Sequence, residues 1–297
     1  MTEVQTCALP ISFLDESHAT PDRMVFGIAG PVENNKCVTT NLPWQVDGDA
    51  MGEMFHARVT LLNDLEATAW GLETLGFDDL GLLQRGEAKQ GNRALIAAGT
   101  GLGEALLHWE GDRWKPMASE GGHADLAARD AFEDELVQWL RSKYGHVSRE
   151  RVLSGPGLAD LYRFHRETGR GNEPAAIATR FDQAEDPGAV VTETGLDGSC
   201  ERARLALERF CVIYGAEAGN LALEALALGG VFLGGGIAPR LLALLQPTAQ
   251  RRSGFLAAFA DKGRLAPLLA GIPVAVVLDP RTAVWGAAAY SMAQSQN

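Results

Sequence analysis

The chain has 297 residues, with 26 Lys and Arg against 38 Asp and Glu, and a formal net charge of −12. It is 46% hydrophobic and 22% charged, the composition of a packed globular chain and not of a disordered one. The acidic balance, with no tight basic pair beyond Arg251-Arg252, argues against nucleic acid as a partner, and no uncharged apolar stretch is long enough to span a membrane.

Residues 1–12 are faintly apolar but lack the basic lead-in and cleavage site of a signal peptide. Val25-Phe26-Gly27-Ile28-Ala29-Gly30-Pro31 reads as a buried strand running into a turn, and Val59-Thr60-Leu61-Leu62 as a second strand closed by Asn63-Asp64. Helical spacing follows over 65–75, with Asn63 or Asp64 placed to cap it. Ala94-Leu95-Ile96-Ala97-Ala98 is a third strand leading into Gly99-Thr100-Gly101-Leu102-Gly103, and 104–109 its hairpin partner, turning at Glu110-Gly111-Asp112. Helices are expected over 131–144 and 157–168. The polar stretch 169–197 holds a short helix at most, near 174–181. A long helix with small residues follows over 201–228. The strand 230–233 runs into three glycines and a helix starting near Ala238-Pro239; a last strand (272–278) and helix (282–292) close the chain. Strands alternating with helices predict an α/β architecture with mostly parallel sheets.

The four cysteines (Cys7, Cys37, Cys200, Cys211) form no Cys-x-x-Cys pair. They read as small buried hydrophobes in a reducing, cytoplasmic setting, with neither a disulfide framework nor a zinc site. The six tryptophans (Trp44, Trp70, Trp109, Trp114, Trp139, Trp285) read as core or hairpin packing. Asp130, Glu133, Asp134 and Glu135 read as a solvated helix face.

Four segments have residue types suited to chemistry. Ligands bind outside the carboxyl ends of strands in open α/β sheets, so Asp64 is placed to act as a general base towards a hydroxyl; equally, it can serve only as a helix cap. Gly99 to Gly103 can bring backbone N–H groups close to a phosphate, although it has neither the P-loop nor the dinucleotide-binding pattern, and a plain Gly-rich hairpin entry is the alternative. Ser119-Glu120-Gly121-Gly122-His123-Ala124-Asp125 can present a carboxylate and an imidazole to sugar hydroxyls, or form an exposed polar turn. Gly234-Gly235-Gly236 after a strand suits a nucleotide base or ribose lying across the turn, or close packing of strand on helix.

The order of these segments resembles the bacterial hexokinase-like glucokinase family of the actin/Hsp70/sugar-kinase superfamily. The resemblance rests on Leu62-Asn63-Asp64, Gly99 to Gly103, Glu120-Gly121-Gly122-His123, Val147-Ser148-Arg149-Glu150-Arg151-Val152-Leu153-Ser154-Gly155-Pro156-Gly157-Leu158 and the run from Gly229 to Arg240, and covers the chain from about Val25 onward. The cysteine-rich zinc motif of the repressor-type sugar kinases is missing. The resemblance implies a two-lobed actin-like (ribonuclease H-like) α/β fold, with residues 1–78 plus 280–297 as the small lobe and 79–279 as the large lobe. It implies ATP-dependent phosphorylation of glucose at the 6-hydroxyl, the first step of glycolysis. Asp64 would be the base; Asn63, Glu120, His123 and Glu150 would bind the other sugar hydroxyls. Thr100 and Gly101 would face the ATP phosphates, Gly234, Gly235 and Gly236 the adenosine, and Mg²⁺ would accompany the ATP. A homodimer is a further implication. Residue chemistry alone does not select Glu150, which looks like a carboxylate in the first turn of a helix.

One element of the family pattern, an opening strand with an Asp-x-Gly-Gly-Thr-x-x-Arg phosphate turn, is not found before Val25. Residues 1–22 are expected to be unlike the family, leaving an incomplete small lobe. Two alternatives follow: a catalytically impaired sugar-binding protein, or a kinase for another hexose.

Overall fold

The computed structural model describes residues 12–14, 16, 18, 20–39, 44–87, 89–248 and 253–294. Cys7 and the Arg251-Arg252 pair lie outside the described residues. The strands are β1 (Arg23–Ile28), β2 (Val32–Glu33), β3 (Lys36–Val38), β4 (Gln45–Asp47), β5 (Arg58–Asn63), β6 (Leu80–Gln84), β7 (Arg93–Ala98), β8 (Leu102–Trp109), β9 (Trp114–Ser119), β10 (Gly230–Gly234) and β11 (Val274–Val277). The helices are α1 (Gly48–Phe55), α2 (Asp64–Gly71), α3 (Ala131–Tyr144), α4 (Gly155–Glu167), α5 (Ala175–Gln183), α6 (Pro187–Leu196), α7 (Glu201–Glu224), α8 (Ile237–Arg240), α9 (Leu242–Leu245), α10 (Gly254–Ala260), α11 (Ala266–Ala270) and α12 (Thr282–Ala293). They pack as two units: one takes the described residues of Met1–Phe77, Lys115–Ala118 and Asp279–Asn297, the other Asp78–Trp114 and Ser119–Leu278.

In the first unit β1 and β5 run parallel, in register from Arg23↔Arg58 to Ile28↔Asn63. The strands β2, β3 and β4 form an antiparallel meander. Cys37, Val46, Met51, Val59 and Leu61 are buried together. The last helix, α12, belongs to this unit because it lies backbone-to-backbone on α2. A Cβ at Gly286 would fall 1.7 Å from the Ala67 carbonyl oxygen, and one at Gly71 2.1 Å from that of Thr282; only glycine allows that approach. The Trp70 and Tyr290 rings meet edge-on at 5.5 Å.

The second unit is built on strands ordered β6-β11-β10-β7-β8. Here β7, β10 and β11 are parallel, while β6 and β8 run antiparallel to their neighbours. The sheet is therefore mixed, not mostly parallel. The cause is the connection after β7: three residues, Gly99 to Gly101, reverse the chain directly into β8, whereas a parallel neighbour needs a crossover of a dozen residues or more. The long helix α7 lies against α10, where a Cβ at Gly215 would fall 2.1 Å from the Phe255 carbonyl oxygen. It stops at Glu224, short of 228, because Leu226 takes a left-handed conformation (φ 46°).

Other expectations need correction. The stretch 169–197 holds two helices, α5 and α6. Asp186 caps α6 by accepting the Ala189 N–H at 3.1 Å, Pro187 fills its first turn, and Val190 and Val191 are buried. The helix after β10 lasts a single turn. Glu133 is not on a solvated face: it is buried and held by Arg129 at 2.5 Å and Arg209 at 3.3 Å. Trp109 and Trp114 do pack across their hairpin, with ring centroids 4.2 Å apart, whereas Trp285 is 44% exposed. Cys37, Cys200 and Cys211 are all buried and free.

Candidate functional site

At the carboxyl end of β5, Asn63 and Asp64 divide the work of starting a helix. Asn63 is the cap of α2: its Oδ1 accepts the N–H groups of Leu65 (2.9 Å) and Glu66 (3.3 Å). Its Nδ2 donates to the Gly30 carbonyl at 3.0 Å, tying β5 to the turn after β1. With the cap supplied by its neighbour, Asp64 is the first helical residue, and its carboxylate accepts the Leu65 N–H at 2.9 Å while remaining open to solvent. Partial desolvation by the surrounding protein pushes its pKa above the ordinary aspartate value, against the pull of the Leu65 and Asp64 N–H groups.

In the second unit, two glycine turns sit at the carboxyl ends of the parallel neighbours β7 and β10. Gly234 is in register with Ala97, and a Cβ on Gly235 (φ 79°) would lie 2.3 Å from the Ala98 carbonyl oxygen. Close packing of β10 on β7 therefore accounts for Gly235. Gly236 and Gly99 face open space, and Thr100 is exposed. Gly101 is glycine for a specific reason: a Cβ there would lie 2.5 Å from Oε2 of Glu150.

Glu150 is positioned by that turn and not by a helix. It sits in a short 3-10 turn, Arg149–Arg151, with Oε2 accepting the Leu102 N–H at 2.9 Å. Its carbonyl accepts the Ser154 hydroxyl at 2.8 Å. Leu102 also anchors the other sugar-type loop, since a Cβ on Gly122 would be 2.0 Å from the Leu102 carbonyl oxygen. That loop is a second 3-10 turn, Gly121–His123, flanked by Glu120. The His123 Nε2 and Glu120 Oε2 are 4.0 Å apart and both side chains are largely exposed. One residue at the start of β8 thus bonds Glu150 through its N–H and has its carbonyl packed against Gly122 of the Glu120–His123 turn.

The chain that carries these turns is matched over most of its length by known proteins. A glucokinase family model matches residues 8–294. The chain belongs to the glucokinase family. A glucokinase of Nostoc sp. is 40% identical over 282 residues, covering 90% of this chain and 81% of that one. The crystal structure of glucokinase from an Antarctic psychrotroph superposes with a TM-score of 0.79 at 31% identity, over 95% of this chain and 84% of that one. A Balamuthia mandrillaris glucokinase, solved in complex with glucose, shares the fold with a TM-score of 0.71 at 19% identity, over 90% of this chain and 76% of that one. The two-lobed actin-like α/β fold and the activity of a glucokinase, ATP-dependent phosphorylation of glucose, follow from this membership. The glucokinase match takes in residues 8–22, which the sequence reading sets apart from the family. Among the described residues, no helix is long and apolar enough to cross a membrane.

Two residues next to these turns carry little signal in the sequence. Glu104, on β8, is 1% exposed, and Arg149 precedes Glu150. Their Oε2 and Nη1 are 3.1 Å apart. Inward-facing charge on a strand of otherwise apolar neighbours was the one available hint.

Proposed function

We propose that Asp64 is the catalytic base of this glucokinase, taking the proton from the glucose 6-hydroxyl as that oxygen attacks the γ-phosphorus of ATP. The new O–P bond forms as the bond from the γ-phosphorus to the ADP oxygen breaks, giving glucose 6-phosphate and ADP. The observation that supports this role is the division of labour at the end of β5. Asn63 caps the helix, so the Asp64 carboxylate keeps lone pairs free for a substrate proton. A base with a raised pKa is better matched to neutral pH than an ordinary aspartate.

Sugar recognition is assigned to Asn63, Asp64, Glu120, His123 and Glu150. Asn63 has one amide hydrogen left after its bond to Gly30, Glu150 keeps Oε1 available, and Glu120 and His123 are open to a ligand. The ATP phosphates are assigned to Thr100 and Gly101, and the adenosine to Gly234, Gly235 and Gly236. The same reading places residues 1–78 and 280–297 in the small lobe, 79–279 in the large lobe, the protein in the cytoplasm, and two copies in a homodimer.

Mg²⁺ is carried with ATP. Among the described residues no group of three or more His, Cys, Asp or Glu converges to hold a metal; an ion that travels with ATP is held mainly by phosphate oxygens and water. When bound, it neutralises charge on the β and γ oxygens.

A coupled ADP-release assay with glucose tests the activity. Glucose-dependent turnover is expected; glucose binding by calorimetry without turnover would favour the impaired sugar-binding alternative, and a higher kcat/KM for mannose or N-acetylglucosamine would favour another hexose. The Asp64→Asn variant should lose about 10²- to 10⁴-fold in kcat while glucose affinity is retained. Undiminished turnover would remove Asp64 from the role. The acid limb of kcat/KM should lie above about 3.9, the ordinary aspartate value, because Asp64 must be ionised to act and desolvation raises its pKa.

A further inference from the structure

Behind the sugar-type turns lies a buried charge cluster that no substrate role accounts for. The Arg149 guanidinium is 3.1 Å from Glu104 on β8, 2.8 Å from Glu217 on α7 and 3.4 Å from Glu224 at the end of α7. Glu104 and Glu217 are almost completely buried. Burying two carboxylates around one guanidinium, with the half-exposed Glu224 beside them, is costly, so chain collapse alone does not explain the arrangement.

Its geometry ties the sugar loops together. The Arg149 N–H donates to the Ala124 carbonyl at 2.9 Å, directly after His123. The residue following it is Glu150. The carboxylate that Arg149 grips, Glu104, occupies the space beside Gly121, where a Cβ would fall 2.2 Å from its Oε2. Backbone and side chain of one residue therefore reach the Glu120–His123 turn, the Glu150 turn, β8 and α7.

We infer that Arg149, gripped by Glu104 and Glu217, is the positioning residue that fixes the Glu120–His123 turn in register with Glu150. The inference rests on the reading of those residues as the sugar site. Arg149 does not touch the substrate in this role; it acts through the residues that do. Loss of the grip frees the two turns from each other, so that the carboxylates and the imidazole no longer hold one geometry for a sugar ring.

The experiment compares Arg149→Ala, Arg149→Lys and the double variant Glu104→Leu/Arg149→Met with the wild type. The double variant removes the Glu104–Arg149 pair while keeping buried volume and leaves Glu217 with the Asn220 amide and the Lys262 charge; Arg149→Lys, which keeps a cation among the carboxylates, guards against variants that fail to fold. Arg149→Ala and the double variant should raise KM for glucose about ten- to a hundredfold, with kcat and KM for ATP changed less than about threefold. Arg149→Lys should fall between, since an ammonium keeps the charge but not the fork. Hydrogen exchange at the His123 and Ala124 amides, which donate to Glu120 and Gly121, should speed up in the same order. A double variant that folds with wild-type KM for glucose and wild-type exchange at these amides overturns the inference. If the wild type neither binds nor turns over glucose, the sugar-site reading fails on its own, and the exchange data still decide whether Arg149 orders the turn.

Discussion

His165 lies on α4 against Phe132 and Phe164, 4% exposed, with neither ring nitrogen hydrogen-bonded. Burial and the charges of Arg170, Arg209 and Arg202 hold its pKa down to about 4. A depressed histidine stabilises the fold above its unfolded pKa of about 6.5, and this contribution is lost as pH falls towards 4, on the order of 3 kcal/mol in full. Glu104 acts in the opposite direction. Burial first, and then the charge of Glu217, push its pKa up to about 7, against the pull of Arg149. A raised carboxyl stabilises the fold below its unfolded pKa, and that contribution is lost as pH rises towards 7. Thermal melts between pH 4 and 8 separate the two. His165→Leu should flatten the acid side, and Glu104→Gln should remove the decline towards neutral pH. Wild-type slopes in both variants would show that other groups govern the pH dependence. The same scale explains why Asp64 was ambiguous in sequence: Asn63 and Asp64 are both good caps, and the choice between them is made by the Gly30 carbonyl, 33 residues away, which orients the Asn63 amide.

Helix α4 shows how an element carries a site without contributing to it. Ser154 caps it by accepting the Gly157 N–H at 3.1 Å and, with the same hydroxyl, donates to the Glu150 carbonyl at 2.8 Å. The helix start and the 3-10 turn of Glu150 are thus fastened at one buried oxygen. Ser154→Ala should lower stability by about 1–2 kcal/mol, measured by urea unfolding, and should raise KM for glucose more than KM for ATP. A stability loss with no change in either KM would mean that the cap serves the helix alone. The α6 helix was missed in sequence because polar residues, Pro and Gly dominate 185–199. The signal was present in Asp186-Pro187, a cap followed by a first-turn proline. The apolar pair Val190-Val191 is too short for helical periodicity to register.

The two units have unequal interiors. The second is filled by one continuous cluster in which Ile96, Leu233 and Val276 of the sheet meet Leu207, Phe210 and Tyr214 of α7. Among the described residues the cluster at β3, β4, α1 and β5 in the first unit is confined to Cys37, Val46, Met51, Val59 and Leu61. Local stability follows buried apolar contact, so the amides of β5 should exchange at a lower opening free energy than those of β7. Native-state hydrogen exchange measures this directly; equal protection in the two strands would mean that the units open together.

From the sequence alone, apolar runs ending in glycine or Asn-Asp located the strands and turns, and their order identified the family, because burial demands and backbone freedom are local properties of residue type. It also nominated Asp64, Glu120 and His123, whose chemistry suits a sugar hydroxyl whatever surrounds them. Which residue caps α2, whether the sheet is parallel or mixed, and that a side chain at Gly101 would displace the Glu150 carboxylate were decided only in three dimensions. Glu150 illustrates the reason. Its partner, the Leu102 N–H, is 48 residues away in sequence. No local pattern records that pairing, since it arises when β8 and the Arg149–Arg151 turn pack together. The same holds for Glu104 and Arg149, 45 residues apart. The burial that makes their charges consequential does not exist until the chain has folded.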